Sequence, residues 1–467
     1  MQYIIFGTGD YYERYKKWFD KKDIVALIDN SPAKQNTFID GIEVLAPEIG
    51  IQRKYDVIVI LSFYVKSMKE QLVNLGVQEE KIYHFYDMHD LLGCRKRKAN
   101  IEFYGIGKDD IFASQHKKRI LLLTQELTFG GPPLAMLHMA EVLKKNNYEI
   151  FVASMIDGPL RQKFISMNIP VIIDELLQVA TMDEIEWIKG FSMLVCNTIN
   201  FHIFLKKRSL GIPVIWWLHE APFFYDGIRK DNLLDINLKN LQVTAVGSIP
   251  QKAFNEVCPK AVVKNLLYGV EDVHGKKEKK NRELYFVTIG YFENIKGQDI
   301  LLEAISRLED SVKKKIRILF VGYEKTLFAA QLKEKYSALK NVEYVGNVNR
   351  GQIHEILDRT DMLICPSRQD SMPTVVAEAM MHGMPCIVSS CIGTAKYIQD
   401  GINGFVFENE NIEALRERIV WCVDNQEKLM EIGKNARKVF DEYFSIKAFE
   451  KNFLSIVDEM LNCRCEE

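Results

Sequence analysis

Cysteine is scarce and poorly spaced: nine in 467 residues, with Cys463-Arg-Cys465 the nearest approach to a ligand pair. That excludes a disulfide scaffold or a zinc module, and it points to a reduced, cytosolic compartment. Long apolar runs are lacking as well. The longest, Val57 to Val65, falls far short of the ~20 residues a membrane-spanning helix requires. The opening MQYIIFGTGD has no basic n-region and an apolar stretch of only a strand's length, so it does not read as a signal peptide. Neither charge sign dominates: 61 basic and 63 acidic residues give a net charge of -2, which speaks against nucleic-acid binding by overall charge. There is no low-complexity tract and no repeat of solenoid period. The remainder is an ordinary globular composition, 47% hydrophobic and 27% charged. At ~150 residues per domain, the chain makes two or three domains.

Short apolar runs alternate with helical patterns, the mark of α/β architecture with parallel sheets. A first series places strands at Tyr3–Phe6, Ile24–Ile28, Val57–Ser62 and Ile82–Phe85. A second comprises Ile120–Thr124, Ile150–Ser154, Val171–Ile173, Met193–Cys196, Val214–Leu218 and Val243–Val246. A third comprises Leu284–Ile289, Ile316–Val321, Val342–Val345, Met362–Cys365 and Cys386–Val388. The pattern predicts three Rossmann-like domains. Their expected bounds are 1–92, 119–275 and 276–445, with a basic linker at 93–118 and a C-terminal helical segment at 446–467. Two basic seams, CRKRKAN (Cys94–Asn100) and HGKKEKKNRE (His274–Glu283), separate the series. Such runs suit solvated linkers. The run from Arg95 to Lys98 is also a candidate for contact with anionic lipid, at roughly 1 kcal/mol per charge.

Chemistry-bearing residues follow strands in all three blocks. Gly7-Thr8-Gly9 leaves the first strand, and Asp29 ends the second, twenty residues after Gly9. Glycines admit a diphosphate to a helix start, and an acid after strand two suits ribose hydroxyls. The third glycine of the dinucleotide fingerprint is missing, with Tyr12 in its place, so a plain tight turn explains the pattern too. In the second block, Gly130-Gly131 opens a helix with an apolar face at Met136, Met139, Ala140 and Leu143, making an anion site at the dipole's positive end. His219 closes the strand in WWLHE, at the sheet edge where open α/β folds bind ligands. A single histidine there is equally compatible with a structural role.

The third block carries the most specific pattern, PSRQDSMPTVVAEAMMHGMP after strand Met362–Cys365. With Pro373 in a first turn and Ser371 or Met372 as cap, the helix is expected to start near Asp370 and run through Met381. Asp370 then stands in the loop and Glu378 a turn and a half into the helix, so two acids can grip two parts of one ligand. Lys296, after strand Leu284–Ile289, reaches the same edge, where an ammonium can neutralise a leaving diphosphate.

These residues resemble a known family. From Ile120 to Leu461 the chain looks like a retaining glycosyltransferase of family four with the two-domain GT-B fold and its cleft. ICPSRQDSMPTVVAEAMMHGMPCIVS matches the acid-x7-acid motif at Asp370 and Glu378, and YIQDGINGFVF matches the Gly-x-Asn-Gly segment that follows. The resemblance implies sugar transfer from a nucleotide sugar, commonly a UDP-sugar, to a glycan or lipid-linked hydroxyl, without metal or other cofactor. Surface-polysaccharide assembly at the inner face of a membrane is the setting it implies. It also implies that Glu378 holds the ribose, Asp370 the donor sugar, Lys296 the diphosphate, and that His219 lies near the sugar. Gly130 and Gly131 would flank the phosphates, Gly346-Asn347-Val348 the base, and Ser371-Met372-Pro373-Thr374 the donor. The final helix would pack back on the second domain.

Four departures from the family stand out. Asp370 replaces the usual glutamate, and Tyr291 and Ile295 stand where an arginine is common, leaving Arg368 as its candidate replacement. Pro132-Pro133 follows the glycine pair, and Lys396 occupies a position commonly acidic. The block 1–92, with IFGTGDYYERY, IVALIDNSPAKQ and YDVIVI, resembles the Rossmann-like domain ahead of bacterial sugar acyltransferases, which implies sugar-nucleotide binding there. Two rival readings remain open at this level. One is a non-catalytic sugar-nucleotide-binding partner of a heteromeric transferase; the other is a nucleotide-sugar-modifying enzyme using Gly7 and Gly9.

Overall fold

The computed structural model describes residues 1–92, 99–107, 109–111, 119–206, 208–209, 211–228, 230–234, 236–273 and 283–462. The basic run Arg95 to Lys98, most of the second seam and the Cys463-Arg-Cys465 tail lie outside them. Among the described residues three sheets form, and every predicted apolar run takes a place in one of them. Among the described residues no helix is long and apolar enough to cross a membrane.

The first sheet contains β1 (Tyr3–Phe6), β2 (Ile24–Ile28), β3 (Thr37–Ile39), β4 (Ile42–Leu45), β5 (Val57–Ile60) and β6 (Ile82–His84), in the order β3-β4-β2-β1-β5-β6. The second contains β7 (Ile101–Tyr104), β8 (Arg119–Glu126), β9 (Glu149–Ile156), β10 (Val171–Asp174), β11 (Met193–Asn197), β12 (Val214–Leu218), β13 (Leu241–Ala245) and β14 (Val263–Asn265). Its order is β14-β13-β12-β11-β8-β9-β10-β7. The third contains β15 (Leu284–Ile289), β16 (Ile316–Val321), β17 (Val342–Gly346), β18 (Met362–Cys365), β19 (Cys386–Ser389) and β20 (Phe405–Phe407), in the order β17-β16-β15-β18-β19-β20. The pairings of β3 with β4 and of β7 with β10 are antiparallel. The central strands are mostly buried apolar residues, Val, Ile, Leu and Phe foremost, because helices cover both faces of a parallel sheet. Trp216 and Trp217, adjacent on β12, are therefore both fully buried.

Two features of this organisation were not read from the sequence. The stretch read as a linker contains β7, whose half-exposed IEFY pairs with β10 and offers no apolar run to detect. The chain also divides earlier than residue 275. One compact unit is 1–243 with 253–262, and the other is 244–252 with 263–467. Residues 264–270 join the second unit because the final helix, Ile446–Asn462, packs on them. A Cβ on Gly269 would meet Ile446 Cδ1 at 2.8 Å, and Lys264 pairs with Glu459 at 2.6 Å.

Candidate active site

Strand order in the third sheet reverses between β15 and β18. Loops leaving two such strands diverge, which opens the crevice where doubly wound sheets bind ligands. β15 leads to Lys296 and β18 to Asp370, and the two side chains meet, Nζ donating to Oδ2 at 2.8 Å. Burial works against the ammonium charge, yet the Asp370 carboxylate more than offsets it and holds the Lys296 pKa above the usual lysine range. Two backbone bonds fix the loops: Arg368 N donates to Ile295 O at 2.9 Å and Gly393 N to Asp370 O at 3.0 Å.

Gly297 is what lets Lys296 turn toward Asp370. Its φ of 69° is left-handed, and a Cβ there would lie 2.0 Å from Pro366 O. Gly297→Ala therefore forces strain and a backbone clash together. We expect a cost of about 2 kcal/mol or more. Thermal denaturation should show Tm lower by several degrees, and an unchanged Tm would mean the loop is looser than described.

Arg368 does not stand in for the missing arginine. Its guanidinium forks onto Asp299 at 2.8 and 2.7 Å, and its Nε donates to Glu410 at 2.7 Å. It also donates to Asn294 O. With its donors so engaged, it braces the loop that carries Lys296.

The motif helix runs Thr374–Met381, four residues later than its expected start, with Pro373 as the N-cap residue. Asp370 instead forms an extended bridge with Ile392, so its backbone is unavailable to a helix. Ser371, Met372 and Pro373 are buried, and Thr374 opens the helix half-buried. Glu378 is only 5% exposed, and Arg350 Nη2 donates to its Oε1 at 3.1 Å. The two helices are tied again at their far ends, where His382 joins Asp358 at 2.7 Å and His354 at 3.1 Å. Gly346-Asn347-Val348 forms the loop between β17 and the helix Arg350–Arg359, with Gly346 at φ 82°. Lys396 is exposed. Tyr268 completes the group: its hydroxyl is buried with no hydrogen-bond partner among the described residues, and burial, then Asp370 and Glu378, suppress its ionisation.

In the first unit, the order of the second sheet reverses between β8 and β11. Gly130 caps the helix Gly131–Lys145, whose predicted apolar residues Met136, Met139, Ala140 and Leu143 are all buried. A Cβ on Gly131 would meet nothing within 4 Å, so no protein contact requires glycine there. Pro132 and Pro133 lack N–H groups, which leaves Gly131 as the sole backbone donor among the first three helical residues. The anion site expected from the sequence is thereby weakened. His219 lies just beyond β12, its ring 4.6 Å from that of Trp217. Burial pushes its pKa down to about 3, so the imidazole is neutral at any physiological pH.

Gly7, Gly9 and Asp29 also come together, with a different consequence. Thr8 donates its N–H to Asp29 Oδ2 at 3.0 Å and its hydroxyl to the same oxygen at 2.5 Å, while Ser31 N–H takes Oδ1 at 2.9 Å. The carboxylate thus holds its own turn. Asp10 and Glu13 occupy the first turn of the six-residue helix that follows, where they oppose a second anion.

Sequence reasoning missed Arg350, Tyr268 and Glu220. Arg350 follows Gly346-Asn347-Val348 closely enough to have been suspected. Tyr268 lies about a hundred residues from the acids it faces, so no local pattern marks it. Glu220 stands beside His219 but reads as a solvated charge until its burial at 7% exposure is seen.

The fold and the motif loops define an α/β chain whose last three-quarters has the GT-B architecture, behind an extra N-terminal domain. Residues 270–439 match the family described as Glycosyl transferases group 1, and residues 116–248 match Glycosyl-transferase family 4. Residues 1–83 match C2185-like, N-terminal. Spore coat protein SA of Bacillus subtilis (strain 168) is 23% identical over 73% of this chain and 99% of its own length. Lipopolysaccharide glucosyltransferase WaaG of Escherichia coli (strain K12) is 26% identical over 44% of this chain and 52% of its own. The crystal structure of Anabaena Alr3699/HepE in complex with UDP and glucose aligns with a TM-score of 0.58 at 19% identity, over 73% of this chain and 100% of that one. The chain therefore carries glycosyltransferase group 1 and family-four-like domains.

Proposed function

We propose that this protein is a retaining glycosyltransferase that moves a sugar from a nucleotide sugar, most simply a UDP-sugar, to a hydroxyl of a glycan or lipid-linked acceptor. The Lys296–Asp370 pair beside the buried Glu378 carries this reading. Glu378, steadied by Arg350, presents a carboxylate for the ribose hydroxyls. Asp370 presents one for the donor sugar, and the first-turn N–H groups of the Thr374–Met381 helix face the diphosphate. Lys296 and the helix dipole stabilise the negative charge that develops as the bond from the anomeric carbon to the diphosphate breaks. The acceptor oxygen then bonds to that carbon on the face the diphosphate leaves. With this fixed positive charge in place, the reaction as proposed needs no metal ion. Neutral His219 can share a hydrogen bond with a sugar hydroxyl and cannot serve as a cationic acid.

Glycosyltransferase relatives, one of them named for lipopolysaccharide, support an acceptor in surface-polysaccharide or glycoconjugate assembly. The basic run Arg95 to Lys98 suits an anionic membrane surface, where lipid-linked acceptors are presented. The exchange of Asp370 for glutamate and the lack of an arginine at Tyr291 or Ile295 favour a second reading, a sugar-nucleotide-binding partner without turnover. A panel of nucleotide sugars incubated with the purified chain separates the two. Slow hydrolysis of one donor, abolished by Glu378→Ala, is the expected result. Binding without hydrolysis in the presence of an acceptor mixture would favour the binding partner.

A further inference from the structure

Within the first unit, loops of the N-terminal sheet close on the segment that follows β12. Phe63, after β5, packs its ring 5.6 Å from Phe223 and 5.3 Å from Phe224. Lys66 pairs with Asp226 at 3.7 Å. His84 lies against the backbone at Gly227, where a Cβ would approach Nε2 to 3.0 Å. Tyr86, in the turn after β6, sets its ring 5.3 Å from His202 and places its hydroxyl within electrostatic range of Glu220. Four side chains of the N-terminal domain thus hold residues 223–227 and the neighbouring His202 ring.

Glu220, just ahead of this segment, is buried. Its Oε2 accepts the His219 backbone N–H at 2.9 Å, so the carboxyl grips the residue whose imidazole the transfer reading uses. Burial raises its pKa to about 7, against the pull of the backbone N–H groups of His219, Ile199 and Glu220 itself. From the elements around it, the titratable groups that face it are the Tyr86 hydroxyl, the Tyr225 hydroxyl and His219. Both tyrosines are held neutral by burial, and the histidine is neutral as well.

We propose that Glu220 is a positioning residue for His219, and that the N-terminal domain acts on sugar transfer through Tyr86 at this carboxyl. The inference rests on the transferase reading for its consequence, while its geometry belongs to the first unit alone. In this view residues 1–92 form one wall of the half-site that carries His219. A ligand of their own is not required.

The test uses the full chain labelled with 13C at histidine Cε1. The His219 resonance is assigned by its absence in His219→Asn, and UDP binding is measured separately by calorimetry. In the wild type the His219 resonance should shift with a midpoint near pH 7 although its own imidazole does not titrate. Glu220→Gln should abolish that shift, and Tyr86→Phe should move its midpoint. Both variants should bind UDP within about twofold of the wild type. Donor turnover should fall on the order of tenfold through kcat, as expected when a site group is misplaced slightly. A His219 resonance that is flat from pH 6 to 8, or that titrates unchanged in Glu220→Gln, would overturn the proposal. If Glu220→Gln fails to fold, an unmoved midpoint in Tyr86→Phe does the same. Failure of the wild type to bind UDP counts against the transferase reading instead, and leaves the resonance test intact.

Discussion

Lys296→Ala should lower donor turnover by roughly 10²–10³, the loss seen when one preorganised donor to a developing negative charge is removed. The argument starts from the 2.8 Å contact with Asp370. Lys296 keeps its charge because Asp370 compensates for desolvation, so the ammonium is present at every pH between 5.5 and 9. The defect should accordingly be the same size across that range. It should appear in single-turnover hydrolysis of the donor, with a smaller effect on binding, since the charge it answers grows as the diphosphate departs. Asp370→Asn in the same background should lower turnover further, because Asp370 is assigned its own contact with the donor sugar, but by less than it does alone, because the two groups are coupled. A turnover within twofold of wild type would sink the assignment of Lys296.

Glu378→Ala is expected to weaken donor binding by roughly 10- to 100-fold, about 1.5–3 kcal/mol for hydrogen bonds to a charged group. Glu378 is buried on a helix whose start is fixed by Pro373, and its charged partner, Arg350, is 41% exposed at the side chain. Removing the carboxylate leaves an arginine that water can solvate, so folding stability should change far less than affinity. Calorimetry with UDP and with the intact donor reads the effect. Equal losses for both place Glu378 on the nucleoside portion. A loss confined to the intact donor would place it on the sugar, and no loss for either would dissolve the proposed site.

How far the chain was legible follows from where apolar residues are continuous. Tyr3–Phe6, Ile24–Ile28, Val214–Leu218, Leu284–Ile289, Ile316–Val321 and Met362–Cys365 are central strands read from sequence to the residue. Burial makes nearly all of their residues apolar, and only Arg317 and Thr288 interrupt the runs with a polar side chain. β3, β4, β7, β14 and β20 went undetected. They are three or four residues long and lie at or beside sheet edges, so pairing with a neighbour defines them more than composition does. The start of the motif helix was misplaced for a related reason. Proline's preference for a first turn is local, whereas the bridge from Asp370 to Ile392 is a contact between distant segments.

The sequence by itself determined three α/β domains, the loops that carry Lys296, Asp370, Glu378 and His219, and the family that those loops resemble. Residue types and spacings suffice for these because each acid, base or glycine is tied to the strand just before it. Tertiary structure alone decided which charges are taken. It commits Arg368 to Asp299 and Glu410, and it binds Asp29 into its own glycine turn. It also brings the buried Tyr268 within electrostatic range of the two acids, and the buried Glu220 within range of Tyr86. The physical reason is that charge partners and desolvation depend on which segments pack together, and those segments lie tens to hundreds of residues apart along the chain.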